Sequence, residues 1–300
     1  MTLLVARAVA VGAALLGAAA AFAHEDPHER IDEVTKALEQ SQAKPDVDQA
    51  DLLIRRGRLN LDARHEQDAK ADLVRALQLD PARYEARYYL AQAQLRLGQL
   101  EAALRSVDAF LAAADSDAAR SRGLALRGDV LMAASEPKAA ADAYAAGLAL
   151  EADPNPDHVV AAANAFHAAG QTPRAIEMLD HGIAQLGSLI VLEERAIAIE
   201  VDAQRYDEAV ARVDRLLAAG QRRPFLLYRK GQVLEAAKRT DAARAAYRAA
   251  IAELETLPAG RRSVAGTQAL RESADAALKS LDAQAGAAAA ASPPSDTARP

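Results

Sequence analysis

Apolar residues recur along most of the chain at the three- and four-residue steps of an amphipathic helix, and the runs come in pairs. The stretch Ala50 to Pro81, ADLLIRRGRLNLDARHEQDAKADLVRALQLDP, shows one such pair. Two helical patterns are broken at Asp62–His65, and an Asp-Pro step ends the second. Gly57, Ala69 and Ala76 are small enough for two antiparallel helices to approach closely, while Leu53, Leu73 and Leu77 fill the seam. One hairpin cannot bury its own apolar face, so the unit is expected to recur.

It recurs at countable spacing. The small residue of the first helix aligns as Gly57, Ala91, Gly128, Ala163, Ile197 and Gly231, at intervals of 34, 37, 35, 34 and 34 residues. Twelve residues later stand Ala69, Ala103, Ala140, Ala175, Ala209 and Ala243. Four beyond those stand Leu73, Val107, Tyr144, Leu179, Val213 and Tyr247. Ile197 departs from the small-residue column, and Gln204 and Lys238 replace the turn glycines Gly98 and Gly170.

The segments LAQAQLRLGQLEAAL (90–104), AFHAAGQTPRAI (165–176) and AQRYDEAVARVDRLL (203–217) resemble the tetratricopeptide repeat family, whose unit is a helix-turn-helix of about 34 residues. The resemblance covers residues 50–257. It implies an all-α, right-handed superhelical solenoid of about six repeats, starting near residues 50, 84, 121, 156, 190 and 224. It also implies a scaffold that holds partners.

Flanking patterns complete the architecture. Asp26-Pro27 opens a helix with Ile31, Val34 and Leu38 on one face, read as an N-terminal capping helix within 24–49. Lys44-Pro45-Asp46 breaks the chain before the first repeat. Asp115–Ser121, which holds the three extra residues of the long interval, is read as a looser joint where the superhelix changes pitch. Glu151–Pro156 is read as an ordinary inter-repeat turn. A C-terminal capping helix is expected over 258–282, with Val264, Leu270, Ala274, Leu278 and Leu281 near helical spacing, and a disordered tail over 283–300.

Composition narrows the function classes. Half the residues are apolar but only 4% are aromatic, which suits closely packed helices better than a sheet sandwich. A net charge of −6 without a basic tail argues against nucleic-acid binding. Residues 1–23, with Arg7, an apolar run and Ala21-Phe22-Ala23, have the pattern of a secretory signal cleaved after Ala23, the alternative being a retained anchor. With no cysteine, disulfides, thiol catalysis and lipidation of an N-terminal cysteine are excluded. A periplasmic or secreted protein is expected.

No zincin, EF-hand, P-loop or nucleophile-elbow spacing is present, so no catalytic residue or cofactor is assigned. His24 and His28, among Glu25, Asp26 and Glu29, offer a weak cation-binding leader and the alternative of a metal-handling or enzyme-accessory protein. What remains is surface. In the tetratricopeptide geometry the first helix of each unit lines a concave groove. The resemblance then selects as partner-binding residues Arg55 and Arg58; Glu85, Tyr88, Tyr89 and Gln92; Arg122 and Asp129; Asn164 and His167; Glu194 and Arg195; and Phe225, Tyr228 and Gln232. The rings and guanidinium groups are the expected anchors for an extended peptide. The family's carboxylate-clamp columns hold Ile54, Arg58, Tyr89, Arg122 and Leu126, and only Arg122 keeps the required charge. The sequence therefore points to a non-enzymatic binding scaffold of the bacterial cell envelope.

Overall fold

The computed structural model describes residues 26–41, 47–220 and 222–291. The leader, His24 and the Lys44-Pro45-Asp46 break lie outside the described residues. Fifteen helices and no strand occur among the described residues: α1 (Pro27–Ser41), α2 (Val47–Asp62), α3 (Glu66–Leu79), α4 (Tyr84–Arg96), α5 (Leu100–Ala113), α6 (Asp117–Ala133), α7 (Pro137–Leu148), α8 (Pro156–Ala168), α9 (Thr172–Leu186), α10 (Ile190–Asp202), α11 (Tyr206–Ala218), α12 (Arg223–Ala236), α13 (Thr240–Glu255), α14 (Ala259–Arg262) and α15 (Ala265–Ala291). From α2 to α13 they pair into six consecutive hairpins, the first helix of each carrying the small-residue column.

Volume complementarity across the seam explains why the columns take these residues. Where the second helix contributes a ring, the first contributes glycine: a Cβ on Gly128 would fall 2.7 Å from the Tyr144 ring, and a Cβ on Gly231 would fall within the Tyr247 ring's contact distance. Smaller partners admit larger residues opposite. Ile197 is fully buried against Ala209 and Val213, so its departure from the column is matched by a modest partner.

The turn between the helices is uniform in all six hairpins. One residue takes a left-handed backbone each time: Arg64 (φ 61°), Gly98 (φ 70°), Ser135 (φ 61°), Gly170 (φ 73°), Gln204 (φ 60°) and Lys238 (φ 58°). The next amide closes a bond five residues back, from Gln99 N–H to Gln94 O at 2.8 Å and from Arg239 N–H to Leu234 O at 2.9 Å. This is the Schellman closure of a helix C-terminus. The geometry therefore persists where the glycine is replaced, at some conformational cost.

The chain divides between Ala152 and Asp153 into two compact units. Unit 1 holds α1 to α7 and unit 2 holds α8 to α15. The proline-rich stop at 151–156, expected to be an ordinary turn, is that division. Pro154 and Pro156 remove two backbone donors there, and Asn155 caps α8 by accepting from the Asp157 N–H.

Three further expectations change. The extra residues near Asp115–Ser121 do not loosen a joint: Ser116 caps α6 by accepting from the Ala119 N–H at 3.2 Å, and the insertion lengthens that helix to 17 residues. Ala114 and Ala119 are buried there with Phe110. At the C-terminus α15 runs to Ala291, nine residues beyond the expected end of the cap, because the alanine run after Gly286 has the highest helix propensity of any residue. Residues 292–300 lie outside the described residues. The cap buries Ala274 and Leu281, whereas Val264, before the helix, is exposed.

Each unit also buries a polar link in its seam. In unit 1, Arg56 donates to Asp72 through Nε and Nη2, and Asn60 donates to the same carboxylate at 3.2 Å. In unit 2, Arg212 is buried and donates to Glu200 and Asp180 at 2.8 Å, with Glu193 at 3.5 Å. Burial alone would lower the guanidinium pKa. Its bonds to Glu200 and Asp180 outweigh that and raise it, keeping the charge fixed.

Candidate functional site: the first-helix face

In unit 1 the first helices α2, α4 and α6 lie side by side and border an open cavity of about 660 Å³. Its lining includes Arg55, Arg58, Glu85, Tyr89 and Arg122 from the sequence-derived set. Asp51, Ile54, Ala82, Arg83 and Tyr84 also line it. The helical repeat produces this wall: Asp51, Ile54, Arg55 and Arg58 sit three or four apart and share one face of α2. Arg83 and Tyr84 were missed because the column transfer begins inside the helix. The Asp80-Pro81 stop was the available signal, since the residues after it open α4 and point into the cavity mouth.

The cavity's charges are not equivalent. Arg83 pairs with Asp51 at 3.2 Å and with Asp80 at 2.9 Å. Arg122 donates through Nη2 to both Glu85 oxygens, at 2.8 and 2.9 Å. Its guanidinium carbon lies 4.6 Å from the centre of the Tyr88 ring. Tyr88 in turn packs 5.2 Å from the Phe110 ring and 5.5 Å, edge to face, from Tyr89. Burial pushes the Tyr88 phenol upward in pKa, so it stays a neutral hydroxyl, and that hydroxyl accepts from Gln92 Nε2 at 3.2 Å.

Tyr88, Gln92 and Arg122 are thus struts of the wall. The sequence assigns them the same anchoring role as Tyr89, and the structure places them in contacts within the wall. Asp129 is exposed but accepts from the Tyr144 hydroxyl, which makes it a seam acceptor. Arg55 and Arg58, by contrast, are exposed and form no ion pair or side-chain hydrogen bond among the described residues.

In unit 2 most of the selected residues are engaged with neighbours outside the set. Arg229 lies 3.1 Å from Glu194 and donates to Gln232 at 3.2 Å. Burial raises the Glu194 pKa, and Arg229 opposes that only in part. His167 Nδ1 is 3.1 Å from Thr172 Oγ1, and its Nε2 is 4.0 Å from Asp202. Tyr228 packs 5.5 Å from the Tyr247 ring, and Phe225 packs on the cluster of Ile197, Val213 and Leu226. Asn164 Oδ1, Glu194 Oε1 and Arg195 Nε are inaccessible and lack a hydrogen-bond partner among the described residues.

Of the leader's histidines, His28 packs its ring 5.3 Å from His65 at the start of α3. Among the described residues no group of three or more His, Cys, Asp or Glu is placed to hold a metal ion. Among the same residues no helix is long and apolar enough to cross a membrane.

Repeated hairpins with a small-residue seam, a left-handed turn at repeat spacing and a cavity along successive first helices define a helical-repeat binding scaffold. A tetratricopeptide repeat family model matches residues 54–119 and 199–258. A tetratricopeptide repeat protein from Parabacteroides merdae has a similar fold, with a TM-score of 0.53 at 15% identity over 86% of this chain and 93% of that one. MamA aligns over 57% of this chain and 91% of its own at 18% identity, TM-score 0.49. YrrB, described as a repeat protein with an unusual peptide-binding site, aligns over 66% and 97% at 16% identity, TM-score 0.49. No curated protein matches the chain in sequence. Residues 54–119 and 199–258 thus match tetratricopeptide repeats in sequence, and the fold is that of a tetratricopeptide repeat solenoid.

Proposed function

We propose that the chain is an exported, non-enzymatic scaffold of the bacterial cell envelope that holds a protein or peptide segment against the first-helix face of unit 1. The observation that carries this reading is the cavity across α2, α4 and α6, open enough for a chain segment and lined by the Tyr84 and Tyr89 rings and by two guanidinium groups with no partner among the described residues. Aromatic and arginine side chains in a desolvatable recess are the residues that most often dominate protein binding energy. Tyr89 supplies apolar area, and Tyr88, held by Phe110 and Arg122, fixes its position. Little conformational freedom then remains to be lost on binding.

Export rests on the leader pattern, and the absence of cysteine is compatible with an oxidising compartment. A photo-crosslinking residue placed at Tyr89, compared with one at exposed Val74 on α3, tests the site in cells. A discrete crosslinked partner at position 89 alone is expected. A partner captured at position 74 and not at 89 contradicts the site. The mass of the same recovered protein tests export, which predicts a chain beginning at His24.

A further inference from the structure

The unit 1 cavity has a charge imbalance that specifies what can fill it. Four arginines and two carboxylates line it. Asp51 is held by Arg83, and Glu85 is held by Arg122. Those pairs neutralise both acids and occupy two of the arginines. The remaining two, Arg55 and Arg58, stand one turn apart on α2 and have no partner among the described residues.

Resting on the reading of the cavity as a peptide site, we propose that it takes an extended acidic segment of a partner protein. Side-chain carboxylates at alternate positions pair with Arg55 and Arg58, and the apolar side chain between them lies on Tyr89. The geometry supports this pattern over others. Residues three apart on a helix face have Cβ atoms about 5–6 Å apart, and alternate residues of an extended chain are about 6.5 Å apart, a mismatch that arginine side chains absorb. The intervening residue of an extended chain points to the opposite side, away from α2 and toward the α4 wall where Tyr89 stands. Forked guanidinium hydrogen bonds favour carboxylates over neutral amides. A basic segment would meet two unneutralised arginines. Arg122 takes no part in reading the ligand, because its Nη2 already donates to both Glu85 oxygens and that carboxylate would repel another one there.

The test uses the full chain and four fluorescein-labelled dodecamers: three copies of Glu-Leu-Glu-Ala, the same peptide with Gln for Glu, and the same with Lys for Glu, all three amidated at the C-terminus, and the Gln peptide again with a free C-terminus. Fluorescence anisotropy is expected to give binding of the Glu peptide about tenfold tighter than the Gln peptide, a gap that narrows as salt is raised. Arg55→Glu with Arg58→Glu should abolish the preference and shift it toward the Lys peptide. Both arginines are exposed, so helical circular dichroism should not change. Tyr89→Ala should weaken the Glu and Gln peptides alike.

Equal binding of the Glu and Gln peptides, both dependent on Tyr89, overturns the acidic preference while leaving the peptide site intact. A Gln peptide with a free C-terminus that alone binds tightly makes the terminal carboxylate the ligand group and overturns the side-chain assignment. Binding of no peptide, or binding indifferent to all three substitutions, overturns both the inference and the peptide site.

Discussion

Unit 1 and unit 2 are built on the same seam and use their charges in opposite ways. Both run through three hairpins whose second-helix residues are leucine, valine and tyrosine in that order: Leu73, Val107 and Tyr144 in one, Leu179, Val213 and Tyr247 in the other. Unit 2 buries its strongest charge, Arg212, among three carboxylates, and on its first-helix face pairs Arg229 with Glu194. Unit 1 keeps its seam arginine, Arg56, partly exposed and leaves Arg55 and Arg58 open at the cavity. Seam packing fixes the fold and tolerates little change, so the first-helix face is where the two units can differ. In unit 1 that face leaves two arginines without an ion-pair partner among the described residues, and in unit 2 Arg229 is paired with Glu194 while Asn164 Oδ1, Glu194 Oε1 and Arg195 Nε lack hydrogen-bond partners among the described residues.

The largest expected effect separates the two buried links. Arg212→Met leaves Glu200 and Glu193 buried without a counter-charge and should cost about 3–5 kcal/mol in urea denaturation. Hydrogen exchange should accelerate in α10 and α11. Arg56→Met should cost less, about 1–2 kcal/mol, because Arg56 is a quarter exposed and Asn60 still donates to Asp72. Equal losses in the two variants would erase the contrast between the units.

Next comes the shared seam. Gly231→Ala forces a Cβ against the Tyr247 ring and should cost about 1–3 kcal/mol. Adding Tyr247→Leu copies the Ala163/Leu179 pairing of the fourth hairpin, and the double variant should be less destabilised than the two single losses sum to. Additive losses would mean that volume complementarity does not govern this seam.

A smaller gain is expected at the turns. Lys238→Gly relieves a left-handed lysine, and the greater freedom of glycine in the unfolded chain offsets part of the benefit. The net stabilisation should be about 0.5–1 kcal/mol by thermal or urea unfolding.

The smallest effect concerns pH in unit 2. Burial holds the Glu194 pKa above its ordinary value, so the folded chain keeps a proton that the unfolded chain releases. Its contribution is therefore complete below the ordinary carboxylate range and declines as pH rises through the raised pKa. Glu194→Gln should flatten that part of the stability-against-pH curve. An unchanged slope would assign it to other groups.

The seam was legible in the sequence because packing volume repeats: Gly128 opposite Tyr144 and Ile197 opposite Val213 can be read from spacing alone. The left-handed turns were only half legible. Gly98 and Gly170 announce themselves, whereas Arg64, Ser135, Gln204 and Lys238 adopt the same backbone under the constraint of the closed hairpin. The longer α6 carried a signal in Ser116-Asp117, a cap followed by a first-turn acid, which interval counting treated as loop. The site was legible as a face and not as a set of roles. Arg122 and Arg55 look alike in a column, and only a side chain reaching from a residue 37 positions away, Glu85, distinguishes a strut from an open anchor.

The account's central claim is that the partner sits on unit 1. The most direct measurement is capture from an envelope extract by the intact chain and by two variants. One carries Arg55→Ala, Arg58→Ala and Tyr89→Ala, and the other carries Asn164→Ala, Arg195→Ala and Phe225→Ala. The account predicts that a partner held by the intact chain is lost from the first variant and retained by the second, with helical content unchanged in the first. Retention by the first and loss from the second would contradict it and move the site to unit 2.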